Sequence, residues 1–352
     1  MRGFAGFLKR ERLYILILIL VTIVSILVVL GPPDRTKHEG HSAVKDASAS
    51  LEERSLNDRP AVEKALAGNK YLALMFMIVS LLTAVIFILG IVIDLSILWL
   101  RRAGKPLEMA TRTHDKISWT LWDVTKVVAL YLFFAYIILI AEASLGNIFP
   151  AIKGNNFRMI FNSSIMDILV VVFILYFTVS QYKVSFESLG LTTKNFFRNI
   201  YYGIVAYIAF MPLMVAIVAV TAIIINLTKF VPHVQPVVGL FLEEKNMQLL
   251  MYTSIFAAIA GPVIEELFFR GFMYNAMKKY AGVFWAMTIT ASLFAGLHAH
   301  MVGFMPILAL GILLAYLYEK TGSLVSSVTV HVIHNVSMVT LVFLVKQLGV
   351  YK

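Results

Sequence analysis

The stretch GPVIEELFFRGF, residues 261–272, places two glutamates and an arginine inside one of the most apolar regions of the chain. The 15 residues before Glu265 are mostly apolar, and the helical pattern continues to Lys278 and Lys279. An ionised side chain at mid-bilayer costs on the order of 2.5–3.5 kcal/mol, so such charges need partners or a function. The stretch therefore predicts a membrane span that carries a functional site.

The composition of the whole chain is that of a membrane protein. Of its 352 residues, 60% are hydrophobic and 14% are charged, and the mean hydropathy is +0.84. Soluble domains carry roughly 25% charged residues. Apolar runs near the roughly 20 residues that cross a bilayer recur along the sequence. We therefore expect an all-α, polytopic transmembrane helical bundle of about eight to nine spans.

Nine apolar runs are candidate spans. They cover residues 13–30, 71–100, 127–145, 163–182, 200–228, 247–269, 283–298, 304–318 and 324–345. The pattern divides the chain into an N-terminal signal-anchor helix, a hydrophilic loop, accessory transmembrane helices and a C-terminal transmembrane domain with the candidate site. These segments cover residues 1–30, 31–70, 71–246 and 247–346, respectively.

The charged residues indicate a lipid environment and an orientation. The formal net charge is +10, but most Lys and Arg lie in short loops, which favours topology and anionic lipid contact over nucleic acid. Their distribution predicts a multi-pass protein of the cell membrane with a cytoplasmic N-terminus. The first span lacks a small-x-small cleavage site before Pro32, which favours a retained anchor. The absence of cysteine excludes disulfides and a thiolate nucleophile.

The three charges of the opening stretch differ in the partners that a helix offers them. Glu266 and Arg270 are four residues apart and share a helix face, so they can form an ion pair. Glu265 is rotated by about 100° from its neighbour. It therefore needs another partner.

Two histidine-containing stretches provide such a partner. FAGLHAH covers residues 294–300 and HVIHN covers residues 331–335, both within apolar spans. If the chain reverses at Ala281 and Gly282, an antiparallel hairpin brings Glu265 level with His298. His331 and Asn335 share one face of the last helix. Three helices are thus predicted to converge on one polar pocket.

Structural explanations exist for each feature taken singly. A buried histidine commonly packs and forms a hydrogen bond, and a Glu–Arg pair commonly holds helices together. His300 and His334 point away from the predicted pocket and are expected to be accessory. Asp94, Glu142 and Asp167 lie near span ends and are expected to be structural. The joint occurrence of the other groups favours a functional site.

The arrangement resembles the CPBP intramembrane proteases, which comprise the type II CAAX prenyl endopeptidases and the bacterial Abi or bacteriocin-processing proteins. EELFFRG corresponds to the family's Glu-Glu-x-x-x-Arg motif, FAGLH to Phe-x-x-x-His, and HVIHN to His-x-x-x-Asn. The motifs occur in the family's order, and the resemblance covers about residues 248–345. It implies an all-helical membrane endopeptidase that acts on a membrane-associated peptide or protein.

The resemblance also implies a role for each motif residue. Glu265 would activate a water that His298 helps to position, and His331 with Asn335 would stabilise the oxyanion. Glu266 and Arg270 would be supporting residues. The family carries a metalloprotease label, and Glu265, His298 and His331 are the residues that would hold zinc or another divalent metal. The chain has no compact H-E-x-x-H motif, so catalysis without a metal or other cofactor is favoured.

Two other classes of function remain open from the sequence. One is a membrane scaffold or bacteriocin self-immunity protein, in which the pocket binds a partner without cutting it. The other is a proton-coupled transporter, because buried Glu and His residues can relay protons. Substrate identity, prenylation, cleavage site and oligomeric state are not indicated by the sequence.

Overall fold

The computed structural model describes residues 2–30, 59–105, 117–145, 155–228, 236–298 and 301–348. The described residues form helices and connecting segments without a strand, which confirms the predicted all-α class. Twelve α-helices lie within these described residues: α1 (Arg2–Leu30), α2 (Arg59–Gly68), α3 (Lys70–Arg102), α4 (Leu121–Leu145), α5 (Asn155–Leu175), α6 (Phe196–Thr228), α7 (Pro236–Glu243), α8 (Met247–Ile255), α9 (Gly261–Glu266), α10 (Asn275–Leu297), α11 (Phe304–Thr321) and α12 (Leu324–Leu348).

Three wider helical turns interrupt this series. π-helical segments cover Tyr176–Gln181, Phe256–Ala260 and Leu267–Tyr274, and the last two flank α9 on either side. π-helical turns are rare and frequently lie at functional sites. The two glutamates of α9 therefore stand between two irregular turns that the apolar periodicity did not predict.

Among the described residues, eight helical stretches are long and apolar enough to cross a membrane. The difference from the nine predicted spans lies at Met247–Leu297, which is helical throughout except at Gly282. Gly282 has φ 73° and ψ 176°, a conformation that glycine adopts without a Cβ clash. The rings of Phe269 and Phe294, at nearly equal chain distances from Gly282, lie 5.1 Å apart. The chain therefore reverses at Gly282, and the predicted hairpin is confirmed.

The structure divides into two compact units. One unit comprises Met1–Ala43 and Ile117–Ser185 and contains α1, α4 and α5. In it α1 packs against α4, and α4 packs against α5. Glu142 of α4 accepts a hydrogen bond from Asn162 of α5 at 2.7 Å, in agreement with the structural role expected for this glutamate.

The second unit comprises Val44–Lys116 and Phe186–Lys352 and contains the candidate site. In this unit α6 packs against both α3 and α12. Glycine allows the close approach on each side: a Cβ on Gly90 would lie 2.4 Å from the carbonyl oxygen of Ile208, and one on Gly203 would lie 2.7 Å from the Cβ of Thr329. A buried apolar cluster joins α6, α11 and α12 around Tyr207, Leu314 and Val330.

The predicted hydrophilic loop at 31–70 is helical at its C-terminal end. Helix α2 packs its apolar side chains against Leu72 of α3 and Leu344 of α12. Asn69 then caps α3 by accepting hydrogen bonds from the backbone N–H groups of Tyr71 and Leu72. Residues 31–58 of the predicted loop lie outside the described residues.

Candidate active site

The centre of the site is a buried triplet formed by Glu266, Arg270 and His331. Oε1 of Glu266 accepts a hydrogen bond from Nη1 of Arg270 at 2.6 Å and lies 3.0 Å from Nδ1 of His331. The predicted i,i+4 ion pair is therefore present. Arg270 also donates from Nη2 to the carbonyl oxygen of Gly311 at 3.1 Å, which ties the pair to α11. These contacts join α9 and the π-helical segment after it to α11 and α12.

Glu265 lies on the opposite side of His331. Its Oε2 is 3.6 Å from Nε2 of His331, which is beyond hydrogen-bond distance. This buried Oε2 atom has no hydrogen-bond partner among the described residues. The side chain as a whole is 38% exposed, whereas that of Glu266 is 0% exposed. Of the two adjacent glutamates, Glu265 alone combines accessibility with an unbonded buried oxygen.

His298 is the C-cap of α10 and is oriented by the last turn of that helix. Its Nδ1 lies 2.8 Å from the carbonyl oxygen of Phe294, and the two rings pack at 4.7 Å between centroids. A carbonyl oxygen only accepts, so Nδ1 donates to it, and in the neutral tautomer Nε2 is then the acceptor. His298 is half-buried. Its Nε2 therefore remains for a further hydrogen bond.

Asn335 contacts the π-helical segment that precedes α9. Its Nδ2 donates to the carbonyl oxygen of Ala257 at 2.9 Å. In this segment the N–H of Gly261 bonds to the carbonyl of Phe256, five residues back, as in a π-turn. The amide group of Asn335 has two N–H hydrogens, so one remains for another acceptor.

Phe294 is a site residue that sequence reasoning did not single out. Its ring packs edge-on against His331 at 5.5 Å and against His298 at 4.7 Å. The guanidinium carbon of Arg270 lies 4.7 Å from the centre of the same ring. Phe294 is therefore the shared packing partner of two histidines and the buried arginine. The signal was its place as the first residue of the FAGLH motif.

The two histidines expected to be accessory have different outcomes. His334 packs against Tyr207 of α6 at 6.3 Å between ring centroids, so its ring has a partner outside the Glu266–Arg270–His331 triplet. His300 lies outside the described residues.

The geometry also bears on metal binding. Within the described part of the chain, no group of three or more histidine, aspartate or glutamate side chains is arranged to hold a metal ion. His331 has Nδ1 at 3.0 Å from Glu266, and His298 has Nδ1 at 2.8 Å from a backbone carbonyl. As placed, these side chains do not assemble the three protein ligands of a catalytic zinc site.

Comparison with known proteins identifies the segment around the site. Residues 247–337 match the family described as Type II CAAX prenyl endopeptidase Rce1-like. This segment contains all six predicted site residues, and the match confirms the resemblance to the CPBP proteases for this part of the chain.

A curated protein is similar to part of this chain. The protein named "Putative membrane peptidase YdiL", from Bacillus subtilis (strain 168), is 26% identical over 110 residues, which is 29% of this chain and 45% of the relative. The chain thus spans less than half the length of that relative. No solved structure matches the chain.

Proposed function

On the premise that residues 247–337 form a domain of the CPBP protease family, we propose that the protein is an intramembrane endopeptidase. It hydrolyses a peptide bond in a membrane-associated protein or peptide. The observation that carries the proposal is the pair formed by Glu265 and His331: an accessible carboxylate with an unbonded buried oxygen lies 3.6 Å from an imidazole nitrogen. A carboxylate that can remove a proton, beside a second group that can form a hydrogen bond, is an arrangement that can activate a water.

In the proposed reaction, Glu265 carries out the proton transfers. Its carboxylate removes a proton from water while the water oxygen bonds to the carbonyl carbon of the substrate. The carbon–nitrogen bond then breaks, and the carboxyl group returns that proton to the leaving amine. The products are a carboxylic acid and an amine, so atoms and protons balance without a further reactant.

Two side chains around Glu265 assist this step. The free Nε2 of His298 can accept a hydrogen bond from the attacking water and orient it. The second N–H of Asn335 can donate to the oxygen that becomes negative as the carbonyl is attacked, because the first N–H is already bonded to Ala257. A donor that is fixed in advance stabilises such an oxyanion at little reorganisation cost.

The proposal needs no metal or other cofactor. Each step uses a carboxylate, an imidazole or an amide of this chain. Treatment of the purified active enzyme with a chelator should leave cleavage unchanged. Loss of cleavage in the chelator, followed by recovery with stoichiometric zinc, would instead assign the reaction to a metal.

The proposed setting is the cell membrane, with several spans and a cytoplasmic N-terminus. The substrate is either of the CAAX type or a leader-type or bacteriocin-type precursor. A binding role without cleavage, as in a scaffold or self-immunity protein, is the main alternative. A Glu265→Gln, His298→Ala double variant distinguishes the two roles. If the protein only binds its partner, the double variant complements a deletion strain; if the protein cleaves, it does not.

The decisive experiment compares cells that carry the wild type with cells that carry Glu265→Gln. Membrane and secreted proteomes of the two strains are quantified, and uncleaved precursors are expected to accumulate in the variant. A precursor found in this way is then purified and cleaved in detergent or vesicles. Full retention of its cleavage by Glu265→Gln overturns the proposal.

A further inference from the structure

We propose that Pro262 is a positioning residue for Asn335. It keeps the carbonyl oxygen of Ala257 free of backbone donors, and that oxygen holds the side-chain amide of Asn335. This inference rests on the proposed function, because Asn335 is the donor that faces the developing oxyanion. Pro262 supplies no group to the reaction itself, so its effect is exerted through the shape of the backbone.

Neither of the usual backbone donors is available to the carbonyl oxygen of Ala257. In an α-helix this oxygen would accept from the N–H of Gly261, four residues later, and in a π-turn from residue 262, five residues later. The N–H of Gly261 bonds instead to the carbonyl oxygen of Phe256. Residue 262 is a proline, which has no N–H. The oxygen therefore remains for a donor from outside its own helix.

The ring of Pro262 also disfavours a regular α-turn at this point. A proline inside a helix clashes with the carbonyl group four residues earlier, which here belongs to Ala258. The wider π-turn at Phe256–Ala260 contains that residue and ends just before the proline. Local π adjustments are one of the ways in which membrane helices accommodate a proline. Pro262 thus removes one donor itself and favours the turn that diverts the other.

A carbonyl oxygen that is freed in this way needs a partner within the protein. Pro262 is buried, and it belongs to the stretch Met247–Leu297, which is apolar enough to cross a membrane. Bulk water does not reach such a position, so side chains of neighbouring helices must bond the backbone groups that a proline frees. Asn335 of α12 does so by donating from Nδ2 to the Ala257 oxygen at 2.9 Å.

This bond fixes the direction in which the Asn335 amide faces. A carbonyl oxygen only accepts, so Nδ2 rather than Oδ1 must point to Ala257. The two N–H bonds of the amide lie in one plane, and the direction of the second is therefore fixed together with the first. Without the free carbonyl, the amide could turn over and present its acceptor oxygen to the oxyanion. A donor that is held in advance is the more effective one.

Pro212 provides a matched control for substitutions at Pro262. It also lies inside a membrane-spanning helix of the second unit, namely α6. Its ring faces α3, where a Cβ on Gly90 would lie 2.7 Å from the ring. Pro212→Ala therefore shows whether any change from proline to alanine in a membrane helix has the effects expected at Pro262.

The first test is a double-mutant cycle on thermal unfolding of the full chain in detergent, which needs no substrate. Asn335→Ala leaves the Ala257 oxygen without a donor and should lower the unfolding midpoint. Pro262→Ala supplies an N–H and permits an α-turn, so the helix can then bond this oxygen itself. Pro262→Ala should therefore shift the midpoint of Asn335→Ala upward by about 2 °C relative to its effect on the wild type. Equal shifts in the two backgrounds, as expected for Pro212→Ala, overturn the proposal.

The second test reads the hydrogen bond directly and does not depend on the folding of a Pro262 variant. Asparagine is labelled with ¹⁵N, the protein is placed in lipid nanodiscs, and the Asn335 amide signals are assigned by their absence in Asn335→Ala. In the wild type, one of the two amide protons should show the downfield shift of a hydrogen-bonded proton. In Pro262→Ala this shift should decrease, because the bonds of an α-turn run along the helix axis and direct the carbonyl away from α12. A wild type without a hydrogen-bonded amide proton on Asn335 overturns the proposal.

The third test is the same cycle on catalysis, with the precursor from the proteome comparison as substrate. Pro262→Ala should lower kcat by roughly 10-fold to 100-fold with little change in KM, because a misplaced oxyanion donor is lost only from the transition state. In the Asn335→Ala background it should cause no further loss, since the amide that it positions is absent. Pro212→Ala should leave kcat unchanged. Losses that multiply in the Pro262→Ala, Asn335→Ala double variant would overturn the positioning role.

The failure of this inference is distinguishable from the failure of the proposed function. The thermal and spectroscopic measurements do not depend on cleavage, whereas the function is tested by Glu265→Gln. If Glu265→Gln abolished cleavage while Pro262→Ala shifted both unfolding midpoints equally, the proposed function would stand and this inference would fall. If Glu265→Gln retained full cleavage while the midpoints shifted as expected, the bond between Asn335 and Ala257 would stand and the proposed function would fall.

Discussion

In the part of the chain that the structure describes, two clusters of buried charges lie in membrane-spanning helices, and they differ in how fully their polar atoms are bonded. The first, which we call the N-terminal cluster, consists of Glu11, Asp123 and Lys126. Lys126 pairs with Glu11 at 2.8 Å and with Asp123 at 3.1 Å. The remaining oxygen of Glu11 accepts from Arg10, and that of Asp123 accepts from Tyr182. All four carboxylate oxygens have partners.

In the candidate site, by contrast, several buried polar atoms have no hydrogen-bond partner among the described residues. Four buried side-chain atoms among the described residues have no hydrogen-bond partner. Three belong to the site, namely Oε2 of Glu265, Oε2 of Glu266 and Nε of Arg270, while the fourth is the indole nitrogen of Trp122. An unpaired buried polar atom costs roughly 1–3 kcal/mol. The unbonded atoms at these carboxylates leave hydrogen-bonding positions that a water or a substrate group can fill, whereas the N-terminal cluster leaves none at its carboxylates.

The largest expected effect is a loss of cleavage activity when Glu265 of the candidate site is replaced. Glu265→Gln should reduce cleavage by about 100-fold to 10,000-fold, because the amide cannot act as a base. Its stability should change little, since the replaced Oε2 has no partner to lose. Cleavage of the purified precursor and thermal unfolding in detergent measure the two quantities.

Glu11→Gln is the matched control in the N-terminal cluster. It makes the same isosteric change at a buried glutamate, but removes the charge that faces Lys126. It should lower stability and leave the cleavage rate per folded molecule unchanged. If Glu11→Gln abolished cleavage in folded protein, the contrast between a structural and a catalytic cluster would fail.

The second largest effect should appear in stability alone. Lys126→Met leaves two buried carboxylates without their shared cation and should cost about 3–5 kcal/mol. It also removes the ammonium group that lies 5.0 Å from the ring centre of Tyr14. Thermal unfolding in detergent measures the loss.

A triple variant sharpens this prediction. Lys126→Met combined with Glu11→Gln and Asp123→Asn removes all three charges together, so it should be less destabilised than Lys126→Met alone. Greater destabilisation of the triple variant would mean that packing rather than charge balance dominates the cluster.

The comparison also shows which parts of the molecule the sequence could predict. Local rules were sufficient for the ion pair of Glu266 with Arg270, which needs only a spacing of four, and for the reversal at Gly282, which needs only a glycine between apolar runs. Both are confirmed. The number of spans was predicted from the lengths of the apolar runs. The predicted and observed numbers differ only because the helix assignment continues across Gly282.

Contacts that depend on helix rotation were not predictable in this way. The bond of His331 to Glu266 and that of Asn335 to Ala257 depend on how α12 turns against α9 and on the π-turn at Phe256–Ala260. A helix that is apolar on all sides has no periodicity that fixes its rotation. The N-terminal cluster was missed for the same reason, since its three charges come from two separate helices.

A smaller effect is expected at Phe294, the ring that links the two histidines to Arg270. Phe294→Leu should cost on the order of 1–2 kcal/mol of stability through lost ring contacts. It should slow cleavage by about tenfold, which corresponds to roughly 1.4 kcal/mol in the barrier, because both imidazoles lose the surface that orients them. Phe284→Leu on the same helix is the control, since that ring is 69% exposed. Equal effects of the two changes would remove Phe294 from the site.

The smallest effect is expected at Tyr182, which donates to Asp123 at 2.8 Å in the N-terminal cluster. Asp123 also accepts from the backbone N–H and the hydroxyl of Thr120, so Tyr182→Phe should cost only about 1 kcal/mol near neutral pH. Burial, together with the hydrogen bond to Asp123, raises the pKa of Tyr182 above its usual value.

Because its pKa is raised, the stabilisation that Tyr182 contributes should decrease as the pH rises. An unfolded tyrosine loses its proton at about pH 10, whereas the folded protein holds the proton of Tyr182 to higher pH. The stabilisation is therefore fully present below about pH 10 and is lost as the pH rises further. Phenylalanine cannot ionise, so the difference in thermal stability between wild type and Tyr182→Phe should narrow from about pH 8 to about pH 11. If the difference in thermal stability stayed constant over this pH range, the cluster would not raise the pKa of Tyr182, and the side chain would contribute packing alone.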